Sequence, residues 1–182
     1  QPGWNFFSLP VLPENGAVVV LLPSFAQDFE QIAQFEPVTG KFAHYVGNPK
    51  FDDFSTLEYG VGYQVYCKRA SPVTVMFKGK LPTKKLAKNL SIGWHLLGFT
   101  GLTSTSAASW LTGIDYTDIR NASLSAVTQV EPGKAYWVKV RTASIFSPSL
   151  PRDPTTWFLY DGDGGRVQQT TAAGTTTFLG ES

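Results

Sequence analysis

The stretches LEYGVGYQVYCK (Leu57–Lys68) and VEPGKAYWVKVR (Val130–Arg141) carry one pattern twice, 73 residues apart. Gly60 stands with Gly133, Tyr63 with Tyr136 and Val65 with Val138. Each stretch alternates with a period of two, the signature of a strand with one covered face. The inward set is Tyr63, Val65 and Cys67 in the first and Tyr136, Val138 and Val140 in the second. Gln64, Tyr66 and Lys68, and then Trp137, Lys139 and Arg141, fall on the opposite face. Cys67 takes the place of Val140, so it reads as a small buried hydrophobe and not a nucleophile.

A second pair of motifs precedes the first in the same order. GWNFFSL begins at Gly3 and GWHLLGF at Gly93, 90 residues apart. Two similarities in one order read as a duplicated β-unit. The offsets, 90 against 73, leave the second copy 17 residues shorter between its motifs. The first copy has a hairpin in that interval: EQIAQFE and KFAHYVG flank PVTG, a turn with Pro early and Gly at its end. The second copy has only YTDIRNASLSAVTQVE there, which predicts a hairpin gained by one copy or lost by the other.

Helix is sparse. Pro23 interrupts the run after Gly16, leaving short helical turns at Ala17–Leu22 and Ala107–Leu111. The rest is short strands with Gly and Pro turns. The expected fold is mainly all-β: two related sandwich-like or barrel-like units, packed together with Trp4 and Trp94 near their shared core. The expected boundaries are 1–82 for the first unit, 91–147 for the second and 148–182 for a proline-rich hinge and tail.

Composition narrows the function. Aromatic content of 14% marks a chain with a core. The net charge is +1, and the fifteen Lys and Arg are spread thinly except in KGKLPTKKLAK. That argues against a nucleic-acid surface. No apolar run reaches the ~18 residues of a membrane-spanning helix. A start at Gln1-Pro2 reads as a processed or excised product. One Cys permits no disulfide framework. Low charge with many Thr, Ser and Gly leans toward a secreted or cell-surface setting.

No constellation supports catalysis. His44 and His95 occupy non-equivalent places, and no zinc or serine-hydrolase motif is present. The acid pairs Asp52–Asp53 and Asp115–Asp118 read as solvated loop carboxylates ahead of an acid–base couple. DGDGG (Asp161–Gly165) has closely spaced Asp oxygens but lacks the later bidentate Glu of a calcium loop, so it reads as a glycine turn. No enzyme activity, cofactor or metal is expected. The suggestive feature is aromatic: a flat exposed ring with polar neighbours can stack on a sugar. The candidate ligand-binding residues are Trp137, Tyr66, Lys139, Arg141 and Trp110, with Trp137 projecting between basic side chains. The alternative for each ring is a place in the interface between the copies.

Gly-Trp-Asn at Gly3–Asn5 together with Glu-Pro-Gly-Lys-Ala-Tyr-Trp-Val-Lys at Glu131–Lys139 resembles β-modules repeated in large bacterial surface and secreted proteins. The resemblance spans most of residues 3 to 145. The tail, residues 155 to 182, resembles a YD repeat of the Rhs family. Tyr160-Asp161, the Gly-rich turn to Gly165, Arg166-Val167 and Thr175–Phe178 carry it. Such repeats in series form a long spiralling sheet, like a hollow shell. That resemblance implies that the tail has little to bury because its partners are further repeats. It implies an adjoining YD-repeat array as one partner and a polysaccharide or cell-surface glycan as the other. The expected function is thus a non-catalytic glycan-binding module of a YD-repeat protein. The alternatives are a purely structural connector or plug of the shell and, more weakly, a glycan-active enzyme.

Overall fold

The computed structural model describes residues 3–71 and 73–150, and the backbone of three tail strands. In chain order the elements begin with β1 (Gly3–Ser8), β2 (Leu12–Pro13), α1 (Val18–Leu21) and α2 (Phe25–Asp28). Next come β3 (Phe29–Glu36), β4 (Lys41–Tyr45), β5 (Gly62–Cys67), β6 (Val75–Phe77), β7 (Gly79–Lys80) and β8 (Lys88–Leu90). Then follow β9 (Gly93–Gly98), β10 (Thr105–Ser106), α3 (Ala107–Trp110), β11 (Tyr116–Arg120) and β12 (Gln129–Val130). The last are β13 (Ala135–Val140), β14 (Ser144–Phe146), β15 (Thr156–Tyr160), β16 (Arg166–Thr171) and β17 (Gly174–Thr177). The protein is mostly β, 44% strand against 8% helix, and its strands are divided among several small sheets.

The first large sheet has the order β1-β5-β3-β4, antiparallel throughout. Tyr63, Val65 and Cys67 on its central strand are buried with Leu9, Val18, Phe25, Ile32 and Leu57. Pro23 falls between α1 and α2, and each is a single turn of four residues. The PVTG loop joins β3 to β4: Gly40 N–H donates to Glu36 O at 2.9 Å, and Gly40 adopts φ +67°.

The second large sheet, β11-β13-β9, repeats the local devices of the first. Glu58 N–H donates to Tyr63 Oη at 2.8 Å, and Glu131 N–H to Tyr136 Oη at 2.9 Å. The preceding glycines hold φ +79° at Gly60 and +78° at Gly133. Val18 N–H donates to Ser55 O, and Ala107 N–H to Thr128 O. Register shifts interrupt the β3–β5 and β11–β13 ladders, between Phe29 and Gln31 and between Tyr116 and Asp118. The second core gathers Leu97, Trp110, Ile119, Val130, Tyr136, Val138 and Phe146.

The extra material of the first half is smaller than a hairpin. β3 lies against β5 as β11 lies against β13, so EQIAQFE has a positional counterpart in TDIR. Among the described residues only β4, with its loops, has none in the second sheet.

The two halves meet at the ends of β1 and β9. Ser8 N–H donates to Gly133 O at 2.8 Å, and Gly98 N–H to Gly60 O at 3.2 Å. Ser8 and Gly98 stand 90 residues apart and Gly60 and Gly133 stand 73 apart, so the bonds are reciprocal. Small side chains permit this approach. A Cβ on Gly98 would lie 2.6 Å from Ser8 Cβ, and one on Gly62 would lie 2.9 Å from Ala135 Cβ. Beside this seam Phe6, Leu96 and Ala135 form a third small core, with Phe35 and Trp137 packed against it. Of the tryptophans expected near the shared core, Trp94 reaches it only through its ring contact with Trp137, and Trp4 does not. Trp4 is 46% exposed, and Trp94 is half-buried at the far end of β9. Residues 4 and 94 begin the strands, whereas the seam sits at their ends.

In the tail, β15, β16 and β17 form a meander that continues onto β6 in the order β17-β16-β15-β6. Residues 161–165, with the DGDGG turn, and 151–155 of the proline-rich hinge lie outside the described residues.

Candidate functional site

The alternation along β13 holds: Tyr136, Val138 and Val140 are buried and Lys139 is exposed. Trp137 does share the face of Lys139, but that face is turned toward the other half of the molecule. Its ring meets Phe35 at 4.8 Å, Phe42 at 6.2 Å, Phe6 at 6.3 Å and Trp94 at 6.3 Å between centroids, all edge-to-face. Phe6, Phe35 and Phe42 come from the first sheet. The expectation of a ring projecting between basic side chains is therefore corrected. Trp137 is half-buried at the seam, because the outer face of one sheet is the inner face of the pair.

The remaining candidates disperse. Trp110 is 6% exposed, so it is a core ring and not a ligand platform. It packs on Phe99, Tyr136 and Phe146 at 5.6 to 5.8 Å. Its Nε1 is buried without an acceptor among the described residues. Arg141 is exposed but engaged: Nη2 lies 2.6 Å from Asp115 Oδ1, and Nε lies 3.0 Å from both oxygens. The guanidinium, with a further hydrogen bond from Thr142 Oγ1, lowers the pKa of the Asp115 carboxyl. Lys139 Nζ lies 5.7 Å from the centre of Trp94, and Arg120 Cζ lies 6.0 Å from it. Arg120 is held in turn by Asp118 at 2.7 Å. Tyr66 is half-buried and meets the exposed Trp4 edge-on at 5.4 Å.

Two aromatic groups result. The seam belt is Phe42, Phe35, Trp137 and Trp94, capped by Lys139 and Arg120. The outlying pair is Trp4 with Tyr66. Sequence reasoning missed Phe35, Phe42 and Arg120. Phe35 and Phe42 face each other across the β3–β4 ladder, a placement readable from the hairpin, but their contact with Trp137 is long-range.

Of the carboxylates assessed for catalysis, Asp115 and Asp118 pair with arginines, while Asp52 and Asp53 serve the backbone. Asp52 accepts from Val46 N–H at 2.7 Å and Asp53 from His44 N–H at 2.8 Å. His95 is buried with Nε2 donating to Ser91 O at 2.8 Å, and Nδ1 has no partner among the described residues. Cys67 is 1% exposed. Among the described residues no group of three His, Cys, Asp or Glu is placed to hold a metal, and no helix is long and apolar enough to cross a membrane. A cleft of about 500 Å³ between Phe99–Thr105 and Pro148–Leu150 is lined by uncharged residues. A second of about 500 Å³ lies between Leu57–Tyr59 and Pro82–Ala87. Neither holds the candidate rings except Trp110. No protein-family model, curated protein or solved structure matches the chain.

Proposed function

We propose that the chain is a non-catalytic structural module, a duplicated β-unit that anchors a strand array of the YD-repeat kind. The observation that carries this reading is the sheet β17-β16-β15-β6, in which three tail strands and a strand of the first half share one ladder system. The repeated Tyr–Glu bonds, glycine conformations and reciprocal seam support the duplication, with units at 1–82 and 91–147. The seam supports a structural role too, since it absorbs Trp137, the ring best suited to ligand stacking. Asp28, Asp115 and Asp118 are engaged with arginines, which favours fold-holding over acid–base work. A secreted or cell-surface setting belongs to the same proposal.

The test is to append a second copy of residues 156–182 to the chain. In a repeat array each added unit stabilises its neighbour through their interface. The melting temperature of the extended chain should rise by several degrees, an interface worth about 1 kcal/mol or more. An unchanged or lower melting temperature would count against the array reading.

A second reading keeps glycan binding but moves it. Trp4, in a T-shaped contact with Tyr66, is the most exposed tryptophan among the described residues. A polysaccharide panel against wild type and Trp4→Ala checks it: loss of binding in the variant supports it, and no binding by wild type removes it.

A further inference from the structure

β6 and β14 occupy matching places in the two halves. Each is three residues long, follows in sequence the central strand of the large sheet in its half, and has the same burial sequence of half-buried, exposed and buried. Each ends on a phenylalanine that closes a core. Phe77 is 3% exposed in the first core and stacks on Phe7, and Phe146 is 1% exposed in the second against Trp110. Their middle residues, Met76 and Ile145, are 60% and 63% exposed.

Each of these strands pairs antiparallel with a strand outside the large sheet of its half, in matching register. β14 pairs with β8 as Ser144↔Leu90, Ile145↔Asn89 and Phe146↔Lys88. β6 pairs with β15 as Val75↔Tyr160, Met76↔Leu159 and Phe77↔Phe158. β8 lies immediately before β9, the first strand of its own half. β15 reaches β6 from beyond the end of the second half. Position for position, Phe158–Tyr160 stands to the first half as Lys88–Leu90 stands to the second.

We propose that the edge of Val75–Phe77 is a strand-acceptor site and that Phe158–Tyr160 is its donor, supplying to the first half the strand that β8 supplies to the second. A three-residue strand with one exposed middle position holds its place only while its N–H and C=O groups are paired. The donated ladder therefore keeps Phe77 in the core. The recognition is main-chain strand addition, in which ladder hydrogen bonds supply the attachment. The tail strand is then part of the first unit and not an appendage to it. This rests on the connector reading only for what lies beyond β15, since the β6–β15 pairing stands or falls whether or not further strands add to β17.

The experiment uses the full chain with paired cysteines. Directly opposed residues of an antiparallel pair have Cα atoms about 4.5–5.5 Å apart, within disulfide range. Mild oxidation of Met76→Cys/Leu159→Cys should close an intramolecular link in most molecules, while Ile145→Cys/Leu159→Cys should not. Absence of the 76–159 link, or equal linking of 145 with 159, overturns the proposal. A second arm reads the consequence by hydrogen exchange. Leu159→Pro removes a ladder donor from the tail strand, and exchange at Val75–Phe77 should quicken roughly tenfold or more while Ser144–Phe146 stays unchanged. Asn89→Pro should do the reverse. If Leu159→Pro leaves Val75–Phe77 as protected as in wild type, β15 is no donor.

Discussion

At the scale of single residues, Tyr63, Tyr136 and His95 are each held by one hydrogen bond to the main chain. Tyr63 and Tyr136 each accept the N–H five residues back, and burial pushes the Tyr136 phenol up to about 12. His95 is the buried group most sensitive to ordinary pH. Burial lowers its pKa; the Ser91 carbonyl opposes this, and nearby Lys88 adds to it. The folded pKa therefore lies below the unfolded value of about 6.5. Above that value both states are neutral and no stability is lost. As pH falls below it, the unfolded chain binds the proton first, and stability declines until the lower folded pKa is reached. Denaturant midpoints should fall between pH 7.5 and 5.5 in wild type, and the fall should be smaller in His95→Asn, which installs the residue found at position 5. Equal slopes in the two proteins would remove His95 from the account. Cys67 was legible from sequence alone, because its in-phase partner Val140 is aliphatic. His95 was not, because only the structure brings Ser91 and Lys88 to it.

At the scale of elements, alternation identifies the covered face of a strand but not what covers its other face. The single turns α1 and α3 fell where Pro23 and the short apolar runs placed them. The inward sets of β5 and β13 followed from a period of two. The extra hairpin did not: EQIAQFE has the register of β11 despite little sequence likeness, and only β4 is additional. Strand pairing preserves register through a bulge and main-chain bonds, which tolerate side-chain divergence. The seam between β1 and β9 is the element-scale feature most open to mutation. Gly98→Val would place branched carbons where Ser8 Cβ and Val61 O already stand at 2.6 Å. Overpacking of this kind costs about 1–3 kcal/mol. Thermal unfolding should register that loss, whereas Gly113→Val, at a turn with open space around it but φ +84°, should cost only its backbone strain. A seam variant as stable as wild type would mean that the halves do not approach as closely as Ser8 and Gly98 indicate.

At the scale of the whole molecule, the two sheets are amphipathic on both faces for different reasons. One face of each closes over its own core, and part of the other closes over the partner sheet. A tryptophan that looks outward within one unit is thereby spent on joining two. Trp137 meets three phenylalanines of the first half and Trp94 of its own, and edge-to-face pairs contribute about 0.5–1.5 kcal/mol beyond area burial. Trp137→Ala should thus lower unfolding stability by about 2–4 kcal/mol, a large-to-small change in a partly covered site. Its effect should be strongly non-additive with Phe35→Ala, because the two rings share one contact. Trp4→Ala, at a ring 46% exposed, should cost under about 1 kcal/mol. The double-mutant cycle separates the two roles of aromatic residues here. A Trp137→Ala protein with wild-type stability, no coupling to Phe35 and reduced polysaccharide binding would return Trp137 to the role of ligand platform. A destabilised, coupled variant with binding unaffected would leave the exposed Trp4–Tyr66 pair as the place where a sugar ring could stack.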